Sequence, residues 1–291
     1  MSANERSDMS PPVVRVYTPE SPLRQPVGML RGMLADLLAS RELAWRLALR
    51  DLRAQYRQAA LGLLWALFLP LANTAVWLFV QGSGIVAIRD TGLPYPVFVL
   101  SGTLLWSIFM DAFNAPLQQS NAARPMLARI NFPREAILLS GLIQVLLNAA
   151  VKVAVLAAAL LFLGVVPDWQ AAFIPLALLG LVLAGTALGL LVTPVGMLYT
   201  DIGRAAAVAM QFLMFLTPVV YPAPTSGWAA ELFRLNPLAP LIQILRDLLT
   251  GVPPGDLGAF LSVCGAMAVL LCLAWTAYRA AMPILIERMS A

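Results

Sequence analysis

Polar and ionisable side chains inside otherwise apolar stretches are the residues of this chain that could do chemistry. Four of them recur at intervals of four residues, which places them on one face of a helix: Ser140, Gln144, Asn148 and Lys152. Asp111 is the one carboxylate in a comparable apolar setting. Such a stripe faces a hydrated path or a functional polar partner helix, or it forms hydrogen bonds between helices without any role toward a substrate. The spacing leaves both interpretations open.

The sequence contains few of the residues that enzymes commonly use for catalysis. The chain has no histidine, the commonest general acid or base and a common metal ligand. Cys264 and Cys272 are the only cysteines and lie eight residues apart in one apolar run, too far apart for a disulfide within a helix. We therefore expect no catalytic residue, no metal site and no cofactor bound by this chain.

A nucleotide-binding loop is also missing from the sequence. Such a loop needs a lysine followed by Ser or Thr after a glycine-rich turn. The only lysine, Lys152, is followed by Val153 and lies in an apolar helix. If this protein takes part in ATP-driven transport, the ATPase must be another polypeptide.

Six apolar segments surround these residues, and each is long enough to cross a bilayer as a helix. Hydrophobic residues make up 60% of the 291 residues and charged residues only 12%, about half the charge of a typical soluble domain. The sequence therefore predicts an all-α integral membrane protein with a membrane domain over residues 59–280. The predicted spans are 61–80, 97–115, 136–163, 171–198, 205–221 and 257–278.

The distribution of arginine predicts the orientation in the membrane. Six spans place both termini on one side, where ten of the arginines near the spans also lie, against three on the other side. Because basic residues accumulate in cytoplasmic segments, we predict that both termini are cytoplasmic. The ten are Arg46, Arg50, Arg53, Arg57, Arg124, Arg129, Arg134, Arg204, Arg279 and Arg288; the three are Arg89, Arg234 and Arg246.

This orientation separates Asp111 from Lys152 in depth. Asp111 lies about four residues, or roughly 6 Å, from the cytoplasmic end of its predicted span. Lys152 lies about sixteen residues, or roughly 24 Å, from the cytoplasmic end of its own. We therefore predict that Asp111 reaches the cytoplasmic headgroup region and does not pair with Lys152.

The segments outside the spans have distinct characters. Residues 1–26 hold five prolines and no apolar core, which predicts a disordered cytoplasmic tail. Residues 27–58 predict amphipathic helices on the membrane surface, because an apolar stripe runs beside a basic one: Trp45, Leu49, Leu52 and Tyr56 beside Arg46, Arg50, Arg53 and Arg57. Residues 199–204 predict a polar turn, and 281–291 a cytoplasmic tail. The extracytoplasmic segment 222–256 has six prolines and a Leu/Ile-rich run, which predicts short re-entrant helices.

Aromatic residues gather in and around the first and fifth spans. The six candidates for lining a channel are Trp65, Trp77, Phe79, Phe212, Phe215 and Tyr221. Core packing and anchoring at the membrane interface is one interpretation. A slot lined by rings, on which sugars stack through their apolar faces, is the other.

Six motifs follow one another along the chain in a recognisable order. RAQYRQAALGLLWALFLP (53–70) lies at the start of the first predicted span and YPVFVLSGTLLW (95–106) in the second. NFPRE (131–135) and YTDIGR (199–204) lie in the two predicted cytoplasmic loops, and TPVVYP (217–222) and LNPLAPLIQILRDLLTG (235–251) lie at the end of the fifth predicted span and after it. This ordered set resembles the permeases of polysaccharide-exporting ABC transporters, and O-antigen permeases in particular, with teichoic-acid and capsule permeases nearby.

The resemblance implies a homodimer that docks two ATP-binding cassette subunits, with ATP and Mg²⁺ on those partners, and exports a lipid-linked glycan across the inner membrane. The first and fifth spans would line the channel, and 222–250 would gate its outer mouth. The amphipathic helix and the first cytoplasmic loop would contact the ATPase. These candidates for coupling are Arg50, Arg53, Arg57, Arg124, Arg129, Phe132, Pro133, Arg134 and Glu135. Thr200 stands where relatives often have a basic residue, so the second loop's part in coupling stays open.

Two other functions compete with this one. A related ABC permease for a drug or a small lipid fits the same spans. A membrane enzyme acting on lipid-linked sugars needs paired carboxylates, histidine or a metal near one leaflet, and metal-dependent turnover by the purified chain would identify it. A secondary transporter is disfavoured, because intramembrane carboxylates are scarce here.

Overall fold

The computed structural model describes residues 26–57, 65–84, 91, 93–127, 133–165, 168–224 and 226–290. Within these ranges the regular secondary structure is helical. The helices are α1 Pro26–Ala39, α2 Arg41–Arg57, α3 Trp65–Gly82, α4 Tyr95–Ala122, α5 Arg124–Leu127, α6 Arg134–Phe162, α7 Ile174–Leu198, α8 Thr200–Phe215, α9 Trp228–Leu235, α10 Leu238–Thr250 and α11 Leu257–Ser290. A 3₁₀ turn, Trp169–Phe173, leads into α7. The predicted tail over 1–26 falls almost wholly outside the described residues.

Four described helical stretches are long and apolar enough to cross a membrane: Tyr95–Ala122, Arg134–Phe162, Trp169–Leu198 and Leu257–Arg288. They correspond to the second, third, fourth and sixth predicted spans. The helices at the first and fifth positions, α3 and α8, have 18 and 16 described residues. The all-helical membrane architecture is therefore confirmed.

The centre of the molecule is the packing of α4 against α7. α4 also contacts α3, α6 and α10, while α7 also contacts α8, α10 and α11. Buried side chains of α4 such as Leu105 and Phe109 meet Leu181 of α7 and Leu241 of α10 in one apolar cluster. The outer helices α6 and α11 leave most of their surface uncovered, as expected of helices that face lipid.

Two glycines allow α4 and α7 to approach closely. A Cβ at Gly185 would lie 2.7 Å from the carbonyl oxygen of Phe109, and a Cβ at Gly189 would overlap the carbonyl of Phe113. These glycines lie four residues apart on one face of α7. Small residues at this spacing permit backbone contact between membrane helices, and here they set the distance between the two central helices.

Several predicted boundaries differ from the observed ones. α4 continues to Ala122, seven residues beyond the predicted end at Ala115, and α11 continues to Ser290. The predicted turn over 199–204 is wrong: only Tyr199 interrupts the helices, and α8 begins at Thr200 with Asp201 in its first turn, where a carboxylate is favourable. The predicted fifth span over 205–221 is also wrong at its end. α8 stops at Phe215, because Pro218 and Pro222 cannot continue it.

The two amino-terminal helices lie against α6. Ala44 and Ala48 of α2 are fully buried, and α2 packs along α6. The apolar stripe predicted for this helix points elsewhere, since Trp45 keeps 48% of its surface exposed. Leu38 of α1 is 66% exposed. These helices therefore present an uncovered apolar face.

Candidate functional site

The prediction that Asp111 and Lys152 stay apart is wrong. Lys152 Nζ lies 2.7 Å from Asp111 Oδ2 and donates a hydrogen bond to it. The lysine side chain is only 5% exposed and the aspartate 37%. The depth estimate failed because α4 runs to Ala122, which places Asp111 deeper than a span ending at Ala115 would. The flexible lysine stem covers part of the remaining difference.

The polar stripe on α6 continues this contact toward the amino-terminal helices. Gln144 accepts a hydrogen bond from Gln119 Nε2 of α4 at 3.1 Å, and its own Nε2 donates to Asp51 of α2 at 3.4 Å. Ser140 bonds within its own helix, to the carbonyl of Ile137. Asn148 lies between Gln144 and Lys152 on the same face. The stripe therefore joins α2, α4 and α6 by hydrogen bonds between helices.

Glu135, one of the coupling candidates, is buried in an ion pair network. Arg279 of α11 donates to Glu135 Oε1 and to Asp36 Oδ2 of α1, both at 2.7 Å. The side chain of Glu135 is 8% exposed. One guanidinium thus ties together the first helix, the start of α6 and the last helix. Glu135 therefore joins the start of α6 to α11 and presents little surface to a partner.

Arg124, another of the coupling candidates, makes a contact with α7. Its guanidinium donates to the carbonyl oxygen of Met197, in the last turn of α7. Arg124 Nε is buried and has no hydrogen-bond partner among the described residues. Arg124, at the start of α5, thereby joins α5 to the end of α7, next to the start of α8.

The other coupling candidates are more open. Arg53 is exposed, and Arg50 is 60% exposed while its Nη2 lies 2.7 Å from Asp51. Pro133, directly before α6, is exposed and Arg134 is half-buried. Arg129, Phe132 and the side chain of Arg57 lie outside the described residues.

The predicted channel-lining aromatics fall into two groups. Phe79 of α3 is 72% exposed, and Phe212 and Phe215 of α8 are 69% and 49% exposed. Trp77 and Tyr221 pack partly against the main apolar cluster; the side chain of Trp65 lies outside the described residues. α8 has no buried residue. Both helices lie beside α4 and present an uncovered apolar face.

The backbone after α8 departs from helix at residues 216–221 and is held by side chains. Asn236 Nδ2 donates to the carbonyl of Leu216 at 2.8 Å, and its Oδ1 accepts from the amide of Leu238 at the start of α10. Tyr95 Oη of α4 donates to the carbonyl of Val220 at 3.1 Å. Carbonyls that a continuous helix would satisfy thus find partners on α4 and on the residue that follows α9.

Two adjacent charged residues lie in α10. Burial lowers the pKa of Arg246 to about 9, and Asp247 opposes this shift, so the guanidinium is protonated at neutral pH. Burial raises the pKa of Asp247, against the hydrogen bond that its carboxylate accepts from the Gly255 amide at 3.2 Å. Gly251, with φ of 74°, ends the helix between them and that amide.

Sequence reasoning counted Arg246 and Arg279 only toward orientation and missed their contacts. A signal existed for Arg246, since it is the one basic residue in the Leu/Ile-rich run between Leu241 and Leu249. Arg279 gave no signal, because the predicted last span ended at Tyr278 while the helix continues past it.

Comparison with known proteins places the chain in a family. The sequence profile of the ABC-2 type transporter family matches residues 42–250. This chain belongs to that family, as its motifs predicted. It is similar to "O-antigen export system permease protein RfbA" of Klebsiella pneumoniae, at 25% identity over 75% of this chain and 81% of the relative. A protein of the same name from Myxococcus xanthus is 22% identical over 82% of this chain and 92% of the relative. "Polysialic acid transport protein KpsM" of Escherichia coli is 23% identical over 72% of this chain and 80% of the relative.

Proposed function

We propose that this protein is the transmembrane permease of an ATP-driven exporter that moves a lipid-linked polysaccharide, of the O-antigen, capsule or teichoic-acid kind, across the bacterial cytoplasmic membrane. The observation that carries this proposal is the set of relatives named for O-antigen export and polysialic acid transport, each aligned over most of its length. The exposed aromatic faces of α3 and α8 support it, because sugar rings stack on such surfaces.

In this proposal the chain crosses the membrane six times, with α3 and α8 as the first and fifth spans and both termini in the cytoplasm. α1 and α2 lie on the cytoplasmic surface, where exposed Leu34, Leu38 and Trp45 enter the headgroup region. α9 and α10 are re-entrant helices at the outer surface. The apolar side chains of α10 buried against α4, α7 and α11 support this, because re-entrant backbone must be covered by protein.

Two copies of the chain form the channel. Within one copy α8 buries none of its residues, and Phe212 is 69% exposed on it. A second copy facing α3 and α8 would convert these uncovered faces into the walls of a shared slot. Phe79, Phe212 and Phe215 then lie along the path of the glycan.

Two separate ATP-binding cassette subunits supply energy from the cytoplasm, with ATP and Mg²⁺ bound on them. Arg50, Arg53 and Arg57, together with the loop around Arg129 and Phe132, are the proposed contacts. Arg124 and Glu135 act differently in this scheme, since their contacts with Met197 and Arg279 hold the loop in position.

Deletion of the gene in its own host tests the proposed function. We expect loss of one surface polysaccharide and accumulation of its lipid-linked form inside the cell, both reversed by the wild-type chain. An unchanged set of surface polysaccharides, together with an altered sensitivity to small lipophilic drugs, would assign the chain to the transport of small molecules instead.

A further inference from the structure

A buried arginine, Arg246, forms hydrogen bonds with the non-helical segment that follows α8. Arg246 Nη2 donates to the carbonyl oxygens of Pro218 at 2.9 Å and Val219 at 3.0 Å. Its Nε donates to Ser101 Oγ of α4 at 3.2 Å. One side chain of α10 therefore contacts both the non-helical segment 216–221 and the second turn of α4.

The surroundings of Arg246 are suited to carbonyl groups and not to an anion. The residue is 4% exposed, and its guanidinium carbon lies 3.7 Å from the centre of the Phe98 ring. Among the described residues no carboxylate forms an ion pair with it; neighbouring Asp247 bonds to the Gly255 amide instead. Carbonyl dipoles and an aromatic face thus stabilise the buried charge.

The backbone of α4 packs tightly against this segment at Gly102. A Cβ at Gly102 of α4 would overlap the Val219 carbonyl and would lie 2.5 Å from Arg246 Nη2. Val219 and Val220 are fully buried. The contacts of Arg246 therefore require a residue without a side chain at Gly102. They also require the several N–H donors of a guanidinium group.

We propose that Arg246 is a positioning residue, a latch that fixes the outer end of α8 to α10 and α4, so that the outer segment and the channel-lining helix move as one unit. The latch itself follows from these contacts. Its effect on transport rests on the proposed function, in which α8 lines the channel and α10 belongs to its outer gate.

Accessibility of Val220 measures the latch directly. The probe is a cysteine at Val220 in a full-length chain whose Cys264 and Cys272 are replaced by alanine, held in lipid nanodiscs and treated with a water-soluble maleimide. We expect slow labelling in this parent and labelling faster by about tenfold or more after Arg246→Gln, because the segment then opens locally. Arg234→Gln, which removes an exposed arginine from α9, is the matched control and should change nothing. Equal rates in the Arg246→Gln variant and the parent would overturn the proposal.

Two further variants test the latch if the Arg246→Gln protein does not fold. Arg246→Lys keeps the charge but loses the fork, and Gly102→Ala pushes the segment away from the α4 side; both should accelerate labelling. Gly265→Ala, at a glycine with nothing within 4 Å of an added Cβ, is the control for the second. Labelling at the parent rate in both Arg246→Lys and Gly102→Ala would equally overturn the latch.

Export in the host separates the latch from the proposed function. Labelling needs no substrate, so its result stands even if the wild-type chain exports no polysaccharide. Faster labelling with reduced export supports the role of the latch in transport. Faster labelling with export at the wild-type level refutes that role.

Discussion

At the scale of single residues, this protein places charged groups where apolar side chains would be expected and gives each one a partner. Lys152 meets Asp111, Arg279 meets Asp36 and Glu135, and Arg246 meets backbone carbonyls. An unpaired lysine at the centre of a membrane helix costs about 2.5–3.5 kcal/mol on insertion scales. The two ion pairs join helices that are distant in sequence, and Arg246 joins α10 to the non-helical segment 216–221, so the charges help to fix how these parts pack.

The pair of Asp111 and Lys152 predicts a particular order of stabilities. Asp111→Asn leaves the buried lysine without its counter-ion and should lower the free energy of unfolding by about 3 kcal/mol. The double variant Asp111→Asn with Lys152→Met removes the uncompensated charge and should recover at least half of that loss. Thermal unfolding of the purified protein in detergent measures both.

Asp201→Asn is the control for that series, because Asp201 is 91% exposed on α8, and losing its interaction with the helix N-terminus should cost no more than about 1 kcal/mol. Equal stability of Asp111→Asn and the wild type would mean that the ion pair contributes nothing to the packing of α4 against α6.

At the scale of helices, close backbone contact sets the packing of the two central helices, α4 and α7. Small side chains and polar contacts attach the peripheral helices. α4 and α7 meet at glycines, whereas α2 reaches α6 through Ala44, Ala48 and the bond from Gln144 to Asp51. Arg124 links α5 to the end of α7, and Arg279 links α11 to α1 and to the start of α6.

Gly189 tests the contact between the central helices. Gly189→Ala should destabilise the protein, by about 1–3 kcal/mol, because the new methyl group overlaps the Phe113 carbonyl and forces the backbones apart. Unfolding in detergent against a Gly265→Ala control checks this, and the control should be neutral or slightly stabilised by the better helix propensity of alanine. A fully stable Gly189→Ala variant would show that α7 shifts without cost.

Arg53 tests the proposed coupling surface on α2. Arg53→Glu reverses an exposed charge within the proposed contact and should lower co-purification of the ATPase about tenfold, because like charges then face each other across the interface. Arg41→Glu makes the same change at an exposed site on the same helix, away from the contact. The account expects full co-purification with Arg41→Glu; equal losses in both variants would place the ATPase elsewhere.

Much of this fold follows from the sequence, and the exceptions have physical causes. Apolar length predicts the four long helices, and helical spacing predicts the faces of Gln144 and Gly189. Spacing within one segment says nothing about which helices become neighbours, so the contact of Lys152 with Asp111 was missed. Prolines predict that the helix is interrupted near residue 218. They do not predict that Arg246, in a later helix, donates hydrogen bonds to the carbonyls of that interruption. In the same way, Glu135 matches a loop motif while its burial depends on Arg279.

At the scale of the whole molecule, a single copy leaves apolar surface uncovered on two sides with different consequences. α6 and α11 face outward with aliphatic side chains, as helices in contact with lipid do. α3 and α8, which both contact α4, expose aromatic rings, and there the proposed second copy closes the channel.

A crosslinking experiment tests this arrangement of two copies. Phe212→Cys, in a chain whose native cysteines are replaced by alanine, should give a covalent dimer with a short bismaleimide in native membranes. Phe162→Cys places a probe at the end of α6, at a residue that is 92% exposed against 69% for Phe212, and should remain monomeric. Dimers through position 162 and none through 212 would put the interface on the wrong face for the proposed channel.

ATP-dependent movement of polysaccharide into inverted membrane vesicles tests the central claim most directly. Vesicles from the host carry the lipid-linked polysaccharide on their outer, originally cytoplasmic face, where a glycosidase digests it. With the wild-type chain and its ATPase present, we predict that ATP makes the polysaccharide resistant to the enzyme, and that vesicles lacking the chain show no protection. Protection that is equal with and without the chain would contradict the account.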